Sequence, residues 1–130
     1  MIVRFVFSTQ RKVTVRKMDA QSQSPSWDER VTTWAEERNI IEGSTPRQQF
    51  GKLMEEVNEL SEAIHEMEID TCGSDVWYAS MQDAIGDCAV VLHIIAEMVG
   101  TSLTECQELA WEEIKNRKGR MVDGVFVKEV

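Results

Sequence analysis

Residues Pro46 to Met67, PRQQFGKLMEEVNELSEAIHEM, decide the fold, and Glu55-Glu56-Val57-Asn58-Glu59 sits at their centre. Thr45 before Pro46 has the form of a helix start: a hydroxyl to cap the first turn, then a proline whose missing N–H costs nothing there. Apolar residues recur at Phe50, Leu53, Met54, Val57, Leu60, Ile64 and Met67, which is helical spacing. The spacing predicts one helix from Pro46 to about Ile69, with its stripe centred near Leu53, Val57 and Ile64. Glu55, Glu59, Glu62 and Glu66 fall opposite the stripe, and Glu56 falls at its edge. Glu56 and Glu59, three residues apart, can reach one space beside the core.

A second segment, Val76 to Val99, is apolar on almost every side after residue 84, as a buried helix is. It carries Asp83-Ala84-Ile85-Gly86-Asp87. Asp83 and Asp87 share a face that Val90, Val91 and Ile94 continue. Carboxylates on an apolar face are costly without compensation. A divalent cation shared with Glu56 and Glu59 supplies it most economically. Oxygen ligands alone favour Mg²⁺, with Mn²⁺ as a substitute.

These two motifs resemble the MazG-type all-α nucleoside triphosphate pyrophosphohydrolases, closest to short single-domain phage and bacterial members. The flanks agree: Trp34-Ala35, Arg38-Asn39-Ile40-Ile41, Thr45-Pro46, Gln49 to Met54, Asn116 to Arg120, and Val122-Asp123-Gly124. The resemblance runs from roughly Trp27 to Val127. The family's second motif is usually Glu-x-x-Asp. Asp87 matches the Asp, Ala84 holds the Glu position, and Asp83 is its stand-in. The resemblance implies Mg²⁺-dependent hydrolysis of a (deoxy)nucleoside triphosphate to monophosphate and pyrophosphate, and a homodimer or homotetramer. The metal ligands would be Glu56, Glu59, Asp83 and Asp87. Glu55 or Glu59 would orient or deprotonate the water. The resemblance also places Asn116 near the nucleotide.

The remaining chain is read around this core. One hundred and thirty residues suit one domain, expected over 26–130 after a basic extension and linker over 1–25. Met1 to Lys17 holds five of the fourteen basic residues and none of the twenty-three acidic ones. Ile2 to Phe7 and Val13 to Val15 read as short strands. A hairpin extension, a targeting segment and a chain that functionally opens at Met18 are the competing readings. The net charge of −9 disfavours a nucleic-acid partner, because backbones are bound through Lys and Arg patches. The apolar run over 84–99 is short for a membrane span, and Asp87, His93 and Glu97 interrupt it. Three scattered cysteines, without a CxxC, fit a reducing cytoplasm.

Ser26-Trp27-Asp28-Glu29 has capping-box form and opens a first helix that Gly43 is placed to end. Trp27 and Trp34 share a side of it with Val31. Aromatics at that spacing usually pack in a core, and the alternative is that one of them stacks on a base. Asp75 is placed to cap the third helix. Trp77 and Tyr78, near its start, could border a base pocket or pack. His93 reads as a core or interface histidine, and His65 as exposed. Gly100 stops the third helix, and Ser102 to Glu105 form another capping box before a fourth. Its basic end, Lys115, Arg117, Lys118 and Arg120, reads as a clamp for the phosphates or as cations complementing the helix dipole. Asp123-Gly124 predicts a small hairpin or an extended arm.

The expectation is an all-α four-helix bundle, oligomeric because the third helix is apolar on more sides than one chain covers. An enzyme competes with a non-catalytic helical oligomerisation or regulatory module whose acids are structural. A di-iron carboxylate bundle is disfavoured. Glu62 and His65 have the Glu-x-x-His spacing but lie off the cluster's face, and the spacing has no second copy.

Overall fold

The computed structural model describes residues 23–130. The sequence readings of Met1 to Lys17, and most of the 1–25 linker, lie outside these residues. The chain is mostly helical: α1 (Trp27–Glu37), α2 (Ile40–Gly43), α3 (Pro46–Ile69), α4 (Val76–Met98) and α5 (Leu103–Ile114), then a hairpin of β1 (Gly119–Val122) and β2 (Val125–Lys128).

Local chemistry accounts for most helix ends. Ser26 accepts the Glu29 N–H at 3.2 Å while its own N–H reaches Glu29 Oε2 at 2.7 Å, a complete capping box. Thr45 and Gln48 repeat the arrangement at α3, with Pro46 in the first turn. Gly100, at φ 87°, ends α4. Its N–H reaches the Glu97 carbonyl and the next N–H, from Thr101, the Ala96 carbonyl, a Schellman turn.

Three ends differ from the reading by pattern. The first helix breaks at Asn39, not at Gly43. Asn39 takes the left-handed conformation at φ 56°, which Asn tolerates better than most residues, and the single turn α2 follows. Gly43 serves another purpose: a Cβ there would lie 2.8 Å from Asn39 Nδ2. Asp75 precedes α4 but is itself left-handed, at φ 55°, and makes no side-chain cap. Ser102 caps α5 through the Glu105 N–H, but the Glu105 carboxylate takes the Thr101 hydroxyl at 2.8 Å, so the box is half made.

The hairpin forms on its Asp-Gly turn. Asp123 and Gly124 both have positive φ (48° and 80°), the geometry that matches strand twist, and Val122 pairs with Val125.

Helix α4 is the hub. It packs against α1, α2, α3 and α5. Asp70 Oδ2 accepts from Trp77 Nε1 at one end of α3 and α4, and Glu56 faces Asp87 further along, so the two run antiparallel. Small residues let the helices close up: Ala35, Ala63 and Ala84 are buried, with Val91, Ile94 and Ala96. Among the described residues, one polar side chain is fully enclosed, His93. Its Nδ1 accepts the Leu103 N–H at 3.1 Å, so a neutral ring donates from Nε2 to the Thr32 hydroxyl at 2.8 Å. One imidazole thereby ties α1, α4 and the start of α5, and the core reading of His93 holds.

Taken over all of Val76–Met98, α4 is long and apolar enough to cross a membrane by length and composition. A buried core helix meets the same test.

Candidate metal centre

Helix α3 is rotated from the orientation its stripe suggests. The side against α4 runs Gln49, Leu53, Glu56, Leu60 and Ala63, while Val57 and Ile64 are turned away and exposed. The rotation carries Glu56 from the edge of the stripe into the interface, where 5 % of it remains accessible.

Glu56 meets Glu59 and Asp87 there. One carboxylate oxygen from each lies within 4.8 Å of the others. Glu59 is exposed and Asp87 half-buried. The crowding shows in their acidity. The Glu56 charge, then burial, raises the pKa of Glu59. Burial, then the charges of Asp83 and Glu56, raises that of Asp87. Burial among the same acids pushes the neighbouring Cys88 thiol up.

The cation that answers these charges is Lys52, one turn before Glu56. Its Nζ lies 2.6 Å from Glu56 Oε1 and 3.1 Å from Glu55 Oε2. Hydrogen bonds to Glu56 and then Glu55 hold its ammonium well above the ordinary lysine range. Sequence reasoning passed over Lys52, although Lys at i with Glu at i+3 and i+4 is a recognised helical pairing.

The donor set fits a hard divalent cation. Three carboxylates from two helices converge, one is withdrawn from water, and the other two hold their protons more tightly through burial and the charges of their neighbours. Asp83 is exposed and outside this trio, though close enough for its charge to act on Asp87.

A groove of about 300 Å³ opens beside the trio, lined among others by Trp34, Ile40, Lys52, Glu56, Asp87 and Val90. Trp27, Arg30 and Val31 border a second hollow that shares Trp34, Asp87 and Val90 with it. Trp34 is therefore not a core anchor: 42 % of it is accessible, and the Arg38 guanidinium lies 4.8 Å from its ring centre. Trp27 is also partly exposed and packs edge-on against His93 at 5.7 Å. Trp77 packs on Tyr78 and bonds Asp70, away from the trio.

The basic end of α5 does not line this groove. Lys115 pairs with Glu112 at 2.5 Å and Arg117 with Glu113 at 3.1 Å. Asn116 and Lys118 follow the helix, and Arg120 is in β1, all exposed.

Comparison with known proteins gives one informative likeness. The chain is 42 % identical over 67 residues to a protein of Haemophilus phage HP1 described as an uncharacterized 18.2 kDa protein of the rep–hol intergenic region. The match takes in 52 % of this chain and 36 % of the phage protein, so this chain spans about a third of that relative's length. No family profile matches the chain, and no solved structure matches it.

Proposed function

We propose that this protein is a MazG-type nucleoside triphosphate pyrophosphohydrolase, working as a homo-oligomer of helical bundles. One observation carries the reading: Glu56, Glu59 and Asp87 converge beside a groove with a Trp34 wall. Carboxylates alone would serve many ends. Carboxylates next to an apolar, aromatic-sided groove suit a ligand with a phosphate end and a flat end.

Glu56, Glu59 and Asp87 would hold Mg²⁺, with Asp83 near enough to add its charge. When bound, the ion supplies charge neutralisation for the phosphate oxygens and polarisation of the α-phosphorus. The chain's own groups do the rest. Trp34 offers a face for the base. Lys52 is placed to meet phosphate oxygens at the groove. Glu59 is open to water and stands in the trio, where it would take a proton from the attacking molecule. Glu55 is the less suited of the two candidate bases, being paired with Lys52. The cations after Glu113 would reach a phosphate in this groove only from elsewhere in the assembly or after movement, since none of them lines it.

The test is pyrophosphate release from a panel of deoxynucleoside triphosphates with Mg²⁺, comparing the wild type with Glu59→Gln. Metal-dependent turnover that falls by about 10²-fold or more in the variant is expected. No turnover on any triphosphate, with the same melting temperature with and without Mg²⁺, would reject the enzyme and leave a helical interaction module.

A further inference from the structure

The groove beside the carboxylate trio contains one neutral polar side chain, Gln49, and its orientation is fixed from outside the groove. Gln49 shares a face of α3 with Glu56 and lies two turns before it. At about 1.5 Å per residue, the two are about 10 Å apart along the helix, the scale of a nucleoside from its α-phosphate to the far edge of its base. Away from Lys52 and the acids, the groove walls are Trp34, Ile40, Val90, Val91 and Ile94. The Gln49 amide is therefore the one group there that can tell one base edge from another.

A chain of hydrogen bonds from the start of α3 sets that amide. Gln48 Oε1 accepts the Thr45 N–H at 3.1 Å, as part of the capping box. The Ser44 hydroxyl donates to the same oxygen at 3.4 Å. Its single proton is then committed, and the Ser44 oxygen can only accept. Gln49 Nε2 donates to it at 3.0 Å. The atom left over is the Gln49 carbonyl oxygen. Among the described residues nothing donates to this Oε1, and it is not enclosed. Rotating the amide by half a turn would set it against the Ser44 oxygen, so the acceptor stays where it is.

We propose that Gln49 reads the base and selects adenine and cytosine over guanine, thymine and uracil. The inference rests on the nucleoside triphosphate reading of the groove. Adenine and cytosine each present an amino donor beside a ring-nitrogen acceptor, which matches a carbonyl oxygen beside an amide N–H. Thymine and uracil carry a carbonyl in place of cytosine's amino group, and guanine carries one in place of adenine's. A fixed Oε1 meets those oxygens lone pair to lone pair. Apolar walls alone separate such isosteres poorly, whereas a hydrogen-bonding group left unpaired separates them well. Ser44 does not line the groove and is a positioning residue, acting through Gln49.

The experiment compares kcat/KM for pyrophosphate release from dATP, dCTP, dGTP and dTTP with Mg²⁺, in the wild type, Gln49→Met and Ser44→Ala. Calorimetry with the α,β-imido analogues of the same four triphosphates reads the groove without catalysis. The wild type should favour dATP and dCTP by at least about tenfold. Gln49→Met should level the four by losing dATP and dCTP. Ser44→Ala should level them from the other side, by gaining dGTP and dTTP, because its amide is free to rotate. A merely structural Ser44 would lower all four together. Ser44→Ala also reads the groove where Gln49→Met fails to fold. Four equal wild-type values overturn the inference and leave the pyrophosphohydrolase reading standing. So does an unaltered preference in folded Gln49→Met. No turnover, with the analogues bound in the expected order, rejects the enzyme and keeps the base reading. No turnover, with the analogues bound equally or not at all, rejects both.

Discussion

The two sides of the α3–α4 hairpin are built from the same helices and have opposite chemistry. One carries Glu56, Glu59, Asp83 and Asp87 and is roofed by α1 and α2 around a groove. The other carries Phe50, Val57, Ile64, Ile85 and Leu92 and is bare. The difference shows that a helix pair need not sort its residues into core and surface. Here it sorts them into three directions: the shared interface, a charged side and an apolar side. Ala63 and Ala84 let the two helices close up at the shared interface, and each outer side governs much of the molecule's behaviour.

The largest expected effect comes from neutralising the charged side. Asp87→Asn should lower triphosphate turnover by about 10²-fold or more and weaken Mg²⁺ binding, while sedimentation shows the oligomer unchanged. Unchanged turnover would mean that the two sides do not divide the work as described.

Next comes the layer between them. Ile94 is buried on α4 and lines the groove from below. Ile94→Ala should cost about 2–4 kcal/mol of stability, measured by urea unfolding, because it leaves a cavity under the groove. A loss well under that range would mean the layer collapses freely.

Lys52→Met sharpens the charged side. It removes the ammonium from Glu56 and leaves that carboxylate buried and unpaired. The metal-free protein should melt lower, and Mg²⁺ should bind about fivefold tighter by calorimetry, the worth of one partly screened ion pair. Weaker Mg²⁺ binding would instead make Lys52 part of the metal site.

The smallest effect is in pH. Glu59 and Asp87 hold their protons more tightly folded than unfolded. Their contribution to stability is therefore fully present below the ordinary carboxylate range and lost as pH rises through their raised values. Asp28 and Asp70 act oppositely. Burial works against Asp28, but hydrogen bonds from Thr104 outweigh it, and the Cys72 N–H leads the lowering at Asp70, so their stability is lost on acidification. Metal-free protein should lose stability from mildly acid to neutral pH. Glu59→Gln should flatten that slope, as followed by melting temperature. An unchanged slope would remove Glu59 from the coupling.

Much of this was legible in residue order. Ser26, Thr45 and Gly100 mark their helix ends by chemistry that acts within a few residues. Asp123-Gly124 marks the hairpin the same way. The meeting of Glu56 and Glu59 with Asp87 followed from spacing on two helices. What escaped the reading depends on how helices are rotated against each other. Periodicity shows that α3 has an apolar stripe, but not which part of it faces α4, so Glu56 appeared at an edge when it is enclosed. Trp34 appeared as a core anchor because its spacing is helical, and only the groove beside it shows otherwise. Asn39 was overlooked because Gly43 is the commoner place for a helix to end. The bare apolar row on α4 was present in the order of Tyr78, Ile85, Leu92 and Val99, but hidden in a segment apolar on most sides.

The Lys52–Glu56 pair has a last consequence, in the selectivity of the site. An ion that enters the trio must displace an ammonium already seated on its most buried carboxylate. A monovalent cation brings no more charge than the one it evicts, so abundant potassium or sodium gains little by exchange. A divalent cation brings twice the charge and leaves the lysine tethered at the groove, free for the next anion to arrive. On the proposed reading, the side chain would act as a valence filter, tuned by competition rather than by the size of a cage.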